Sequence, residues 1–355
     1  MLRALSLALC LLAPAAFAQD CIQIGDHCLT PQTDGVKIGP DALKDLPKLS
    51  QTPWVTRVEL HGDGDPARTV DLAPLNSLDR MTYLRVQDLP GARWDDVDLP
   101  HLLAIRLQDN DLAEFGFLGR MTSLKALWLR DVVGLSDIPP TTLGTVENLR
   151  LNGPSLRDLD ANGALSNLRI LGFWDVTLAD LQGLGPTPAL QLLNVDGVDI
   201  TSLDGLTVGP AFTELMAEGS GLVDIAALEP AMNLESLRAK NSKIRDISAL
   251  AGKTRLKTLF LTGTQVEDLS PIKGMTALQL LSFSDTPVTD ISALAGLPEL
   301  VGIYMNVTHV TDFTPLLENR EDILLRINSD KVMASGRLPA FIAEEGWKRG
   351  PLYED

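Results

Sequence analysis

Cysteine is nearly missing from this chain of 355 residues, which has three. Cys10 falls in an apolar leader, leaving Cys21 and Cys28 in "CIQIGDHC". Two cysteines exclude a disulfide-dense scaffold and a four-cysteine zinc site. A metal shared with His27 would have two thiols and one imidazole, a thin ligand set, so the pair reads as one disulfide. Closing so short a loop stabilises by about 2.5 kcal/mol in the chain-entropy model. Histidine is also scarce: His27, His61, His101 and His309 are scattered and form no ligand cluster. No Gly-rich phosphate loop, nucleophile elbow or His–Glu metal motif occurs. The enzyme reading therefore has no motif to stand on. No catalytic residue, metal or cofactor is expected.

Positive charge is short as well. Lys and Arg number 30 against 47 Asp and Glu, a net charge of −17. That balance argues against sequence-independent binding to nucleic acid or anionic lipid, and favours solubility and basic partners. Long apolar runs are confined to the first residues, "MLRALSLALCLLAPAAFAQD". Arg3, a short apolar run holding Pro14, and "AFA" before Gln19 read as a secretory signal peptide over residues 1–18. Its Ala-rich style is bacterial. No later segment is apolar for long enough to cross a bilayer, so no membrane insertion is expected. The mature chain is expected to be exported, periplasmic or secreted. Losing the single charge of Arg3 takes its balance from −17 to −18.

What the chain has is repetition. "IRDISALAG" begins at Ile244, "VEDLSPIKG" at Val266 and "VTDISALAG" at Val288, a period of 22 residues. Blocks starting at Leu102, Leu124, Val146, Leu168, Leu190, Phe212, Leu234, Leu256, Leu278 and Leu300 keep that period without insertion. Two looser blocks begin near Val55 and Met81. The first is longer by about four residues around "GDGDPART", which reads as a turn-rich loop. Apolar residues recur at the first, fourth, sixth, eleventh, fourteenth and seventeenth places; in one block these are Leu256, Leu259, Leu261, Val266, Leu269 and Ile272. The fourth and sixth places alternate with polar ones, the period of a strand. A unit this small cannot bury its own apolar face, but stacked neighbours can.

"L-x-x-L-x-L" followed by "I/V-x-D-I/L-S-x-L" resembles the leucine-rich repeat, specifically the 22-residue class of the bacterial internalins. The resemblance implies an α/β repeat solenoid, a horseshoe or arc with a parallel sheet on its concave face and short helical or extended turns on the convex face. The repeats run over residues 55–328. Residues 19–54 form an N-terminal cap, closed by the disulfide and holding a short helix around "PDALKDLPKL". Residues 329–355 form a C-terminal cap too short for a catalytic domain. The family usually has Asn at the ninth place. Here stand Asn110, Ser220, Ser242, Thr264, Thr286 and Thr308, but also Val132, Val176 and Val198. A hydroxyl can still bond a turn carbonyl and Val cannot, so the turns beside Val176 and Val198 should be less well satisfied.

Asp158, Asp180, Asp224, Asp246, Asp268, Asp290 and Asp312 all hold the thirteenth place. Each precedes a short apolar turn whose N–H groups it can accept, so the ladder reads as corner capping rather than calcium binding. The third, fifth and seventh places of each strand point outward and vary freely. Along them Arg85, Arg106, Arg130 and Arg150 make a basic strip in an acidic molecule. Trp128 and Trp174 stand on or beside it, roughly 10 Å apart along the stack. Arg and Trp are the residue types most often found at binding hot spots. These six residues are the candidate partner-binding set. The function expected is non-catalytic recognition of a protein or other macromolecule through the strand face. The alternatives are a glycan reader or glycan-acting protein stacking sugars on the two Trp, and a periplasmic enzyme inhibitor.

Overall fold

The computed structural model describes residues 21–318 and 324–326, apart from Asp111, Ala113, Val132, Val133, Ser155, Val307 and Thr308. The expected signal peptide, the expected C-terminal cap, and the ninth-place Val132 and Thr308 lie outside the described residues.

Fourteen strands form one sheet. They are β1 (Gly35–Ile38), β2 (Arg57–His61), β3 (Tyr83–Gln87), β4 (Ala104–Gln108), β5 (Ala126–Arg130), β6 (Asn148–Asn152) and β7 (Ile170–Trp174). There follow β8 (Leu192–Asn194), β9 (Glu214–Met216), β10 (Ser236–Arg238), β11 (Thr258–Phe260), β12 (Leu280–Ser282), β13 (Gly302–Tyr304) and β14 (Leu324–Arg326). Each is hydrogen-bonded to the next in chain order, and every pair is parallel. From β4 onward each residue faces the one 22 places later, as in Leu127, Leu149, Leu171 and Leu193. Between β2 and β3 the offset is 26, Val58 facing Leu84. The excess is the turn-rich loop, pinned by an Arg68–Asp63 ion pair at 2.7 Å and by the Ala67 N–H donating to Asp65 Oδ1 at 2.9 Å. The sheet starts inside residues 19–54, since β1 precedes the first block recognisable as a repeat.

The fourth and sixth places point into one continuous core. Leu127, Leu129, Leu149, Leu151, Leu171, Phe173, Leu193 and Val195 are all buried. The other side of the stack carries short helical turns in some coils and extended turns in others, such as Pro186–Thr187 and Thr207–Val208, and the stack curves with the sheet on the inside. At the N-terminus an antiparallel hairpin pairs Ile22–Ile24 with His27–Leu29, and Cys21 and Cys28 are bridged across it. The helix expected nearby spans Pro40–Gln51 and is 3₁₀ rather than α. Its apolar residues Leu43, Leu46 and Leu49 recur every third place, which aligns them on one edge only at three residues per turn.

The thirteenth-place Asp residues cap the corners. Asp246, Asp268, Asp290 and Asp312 accept the N–H of Ser248, Ser270, Ser292 and Thr314 at 2.7 to 2.9 Å. Asp158, Asp180 and Asp224 do the same for Asp160, Gln182 and Ala226. Hydrogen bonds from Ser270 hold the Asp268 carboxyl below the usual range, and those from Thr314 act likewise on Asp312. Among the described residues no group of three or more His, Cys, Asp or Glu is placed to hold a metal ion. Asp246→Ala is expected to cost about 1 kcal/mol, with the same melting temperature in calcium and in EDTA. A calcium-dependent rise of several degrees would overturn the capping account.

The ninth place behaves as its chemistry requires. Ser220, Thr264 and Thr286 hydroxyls donate to the carbonyl three residues back, at 2.7 to 2.8 Å. Asn110 reaches the preceding coil, donating to Val86 O and accepting from Leu89 N–H. At Val198 only the backbone N–H reaches back, to Val195 O at 3.1 Å, so that turn lacks the hydroxyl bond. Ser242 Oγ is enclosed without a partner, so one hydroxyl goes unused. Among the described residues one charged side chain is buried. Lys253 occupies a place held elsewhere by Met275 and Leu297. Its ammonium donates to Glu229 O and Ala231 O, and burial lowers its pKa.

The strands also end alike, a feature not anticipated from the sequence. Asp88, Asp109, Asp131, Asp175, Asn241 and Asp285 hold the eighth place with φ between 53° and 62°. Gly153, Gly197, Gly219 and Gly263 take that place elsewhere, also with positive φ. Asn, Asp and Gly are the residues that enter this left-handed region at least cost.

Candidate functional site

The outward places of β3 to β7 enclose a groove of about 410 Å³ on the sheet face, lined by Tyr83, Arg106, Gln108, Trp128, Arg130, Arg150, Asn152 and Trp174. Strand pairing sets its floor. Arg85, Arg106, Trp128, Arg150 and Gly172 face one another in the fifth-place row, and Arg130, Asn152 and Trp174 in the seventh.

Rings and guanidinium groups form one continuous row. Arg57 lies 5.1 Å from the Tyr83 ring centre. Tyr83 meets Trp128 at 6.3 Å between centroids, tilted by 55°. Arg150 then sits between two indoles, 5.8 Å from the Trp128 ring and 5.4 Å from that of Trp174. Each such contact adds about 0.5–1 kcal/mol at an exposed site and, more usefully here, fixes where the guanidinium points. Gly172 makes room for this. A Cβ there would fall against the six-membered ring of Trp174, 2.7 Å from Cζ3. Trp174 therefore lies over the bare backbone of its own strand instead of standing away from the sheet. Gly172→Ala is expected to fold but to lift Trp174 off Arg150, shifting the tryptophan emission relative to wild type. Unchanged emission would show that the glycine does not set the ring.

The arginines divide by their partners. Arg130 Nε lies 3.4 Å from Asp109 Oδ1 and 3.7 Å from Asp131 Oδ2. Arg85 donates to Gln87 at 2.5 Å and Gln108 at 2.9 Å, and lies 3.8 Å from Glu59. It thus belongs to the row but not to the groove lining. Arg150 Nε donates to Asn148 Oδ1 at 3.3 Å. Among the described residues, neither Arg150 nor Arg106 has a carboxylate within 4.0 Å. Trp128 Nε1 and Asn152 Oδ1 are enclosed and have no hydrogen-bond partner in the protein. Farther along the row, burial and then the Lys37 and Arg85 charges hold the His61 imidazole below its ordinary pKa, although Glu59 lies 3.7 Å away. The structure thus brings together Arg106, Trp128, Arg130, Arg150 and Trp174, and sets Arg85 aside in its own network. Sequence reasoning missed Tyr83, Arg57 and Gly172. The first two hold the outward third place of their strands, which was open to inspection.

Comparison of this solenoid with known proteins agrees with its internal repeat. It superposes on an internalin from Listeria monocytogenes with a TM-score of 0.56, at 19% identity over 87% of each chain. The fold is a leucine-rich repeat solenoid. A leucine-rich repeat protein of Leptospira interrogans matches with a TM-score of 0.60, at 16% identity over 79% of this chain and 80% of that one. Mouse RP105, solved as a complex with MD-1, matches with a TM-score of 0.65, at 17% identity over 88% of this chain and 57% of that one. At these identities the likeness establishes the leucine-rich repeat fold alone. No family model matches the sequence. No curated protein matches it either.

Proposed function

We propose that this leucine-rich repeat protein recognises another protein through its concave sheet face, outside the cytoplasm, and that the groove spanning β3 to β7 is the centre of the contact. The observation that carries the reading is the continuous row of rings and guanidinium groups. It holds large amphipathic side chains rigidly, so little side-chain freedom is lost on contact. The residues are those that dominate binding energy elsewhere. The leader and the Cys21–Cys28 bridge support a place outside the cytoplasm. Among the described residues no helix is long and apolar enough to cross a membrane. A structural neighbour solved with a protein bound supports a protein as the class of partner. The test is capture from periplasm and culture medium by the wild-type protein, with Trp128→Ala and Trp174→Ala in parallel. A protein retained by wild type and lost by both variants supports the proposal. Equal capture by all three overturns it.

A further inference from the structure

We infer that the groove takes an acidic, extended segment of its partner, with a carboxylate seated against Arg106 and Arg150. The inference rests on the proposed recognition function and names the chemistry of what is recognised. Two observations carry it. First, the place between the Trp128 and Trp174 rings is already filled by the guanidinium of Arg150. A cationic ligand would have to displace it. A sugar ring, which stacks on a bare aromatic face, meets the same obstacle. The polar groups that Arg106 and Arg150 bring to the groove lining are N–H donors. Second, among the described residues Arg106 and Arg150 have no carboxylate partner, although the chain carries 47 acidic residues against 30 basic ones. Arg130 has two carboxylates close by and Arg85 has one, so the neighbours of Arg106 and Arg150 in the same groove region are already engaged by acids and these two are not.

A carboxylate satisfies such donors with charge-assisted, directional hydrogen bonds, and the guanidinium fork accepts it in two-point geometry. From β3 to β7 the row crosses four strand spacings, roughly 19 Å, which an extended segment of about six residues spans. The rest of the surface, with its net negative charge, repels such a segment. The groove therefore sets the register as well as the attraction.

The experiment is selection from a random octapeptide library displayed on phage. The baits are the oxidised wild-type protein, Arg106→Gln, Arg150→Gln, the double variant of these two, and a Trp128→Ala, Trp174→Ala variant, each first shown by thermal melting to be folded. The result expected is enrichment of Asp- and Glu-rich peptides on wild type. Binding of those peptides should fall at least tenfold for either single variant and weaken as salt rises. Enrichment of neutral or basic peptides that still require Trp128 and Trp174 overturns this inference and leaves the recognition function standing. Acidic peptides bound equally by the double variant also overturn it, because the charge would then be read elsewhere. No enrichment of any peptide over the Trp128→Ala, Trp174→Ala double variant counts against both.

Discussion

Leu171→Ala is expected to lose about 2–5 kcal/mol of stability, the largest effect of any single truncation considered. Leu171 is fully buried at the fourth place of β7 and faces Leu149 on one side and Leu193 on the other. Removing its side chain takes away buried apolar area and leaves a hole that neighbours on two coils border. In a solenoid each coil is stabilised mainly by the adjacent ones, so a cavity here weakens two interfaces at once. Parallel strands held by a hydrogen-bond ladder cannot move inward to fill it without breaking register. Urea unfolding of the wild type and the variant measures the loss. A change below about 1 kcal/mol would mean that the place is not in the core.

Trp174→Ala is expected to do the reverse. Three residues along the same strand, Trp174 lies partly exposed on the sheet surface, resting on Gly172 and flanking Arg150. Truncation removes no core contact, so stability should stay within about 1 kcal/mol of wild type. Partner affinity should fall by about 2 kcal/mol, roughly thirtyfold, because an anchoring ring is lost and Arg150 is no longer held in place. Melting and partner titration on the same two variants separate the effects. If Trp174→Ala unfolds the protein and Leu171→Ala does not, inward and outward are exchanged. The groove would then be assigned to the wrong side of the sheet.

Much of this arrangement was legible in the sequence. The fifth-place row read from the 22-residue period, from Glu59 through Trp128 and Gly172 to Tyr304, is the row that strand pairing shows. It was readable because a solenoid converts sequence interval directly into position: the same place in successive blocks becomes the same place in adjacent strands. The Asp corners were readable for a related reason, since each bond spans two residues and needs no distant partner. The strand β1 was not seen. Its Val36 and Ile38 are the fourth and sixth places of a block starting at Thr33, 22 residues before Val55, which was passed over because its first place is polar. The left-handed strand ends were missed because Asp, Asn and Gly share that place, and only their common backbone freedom unites them.

Sequence alone determined the repeat, the inward and outward places, and the cluster of arginine and tryptophan along one stretch of strands. These follow from local periodicity and from the packing needs of an apolar face. Only the tertiary structure decided what that cluster does with itself. Arg85 and Arg106 hold the same place in neighbouring blocks, yet Arg85 is engaged by Gln87, Gln108 and Glu59, while Arg106 has no carboxylate beside it. The period treats Gly172 as one more varied residue. In space it is the gap that lets Trp174 lie down against Arg150. Such outcomes depend on side-chain direction and on neighbours from adjacent coils. A place in a repeat states which residues are near one another, whereas rotamers and partners settle which charges remain available.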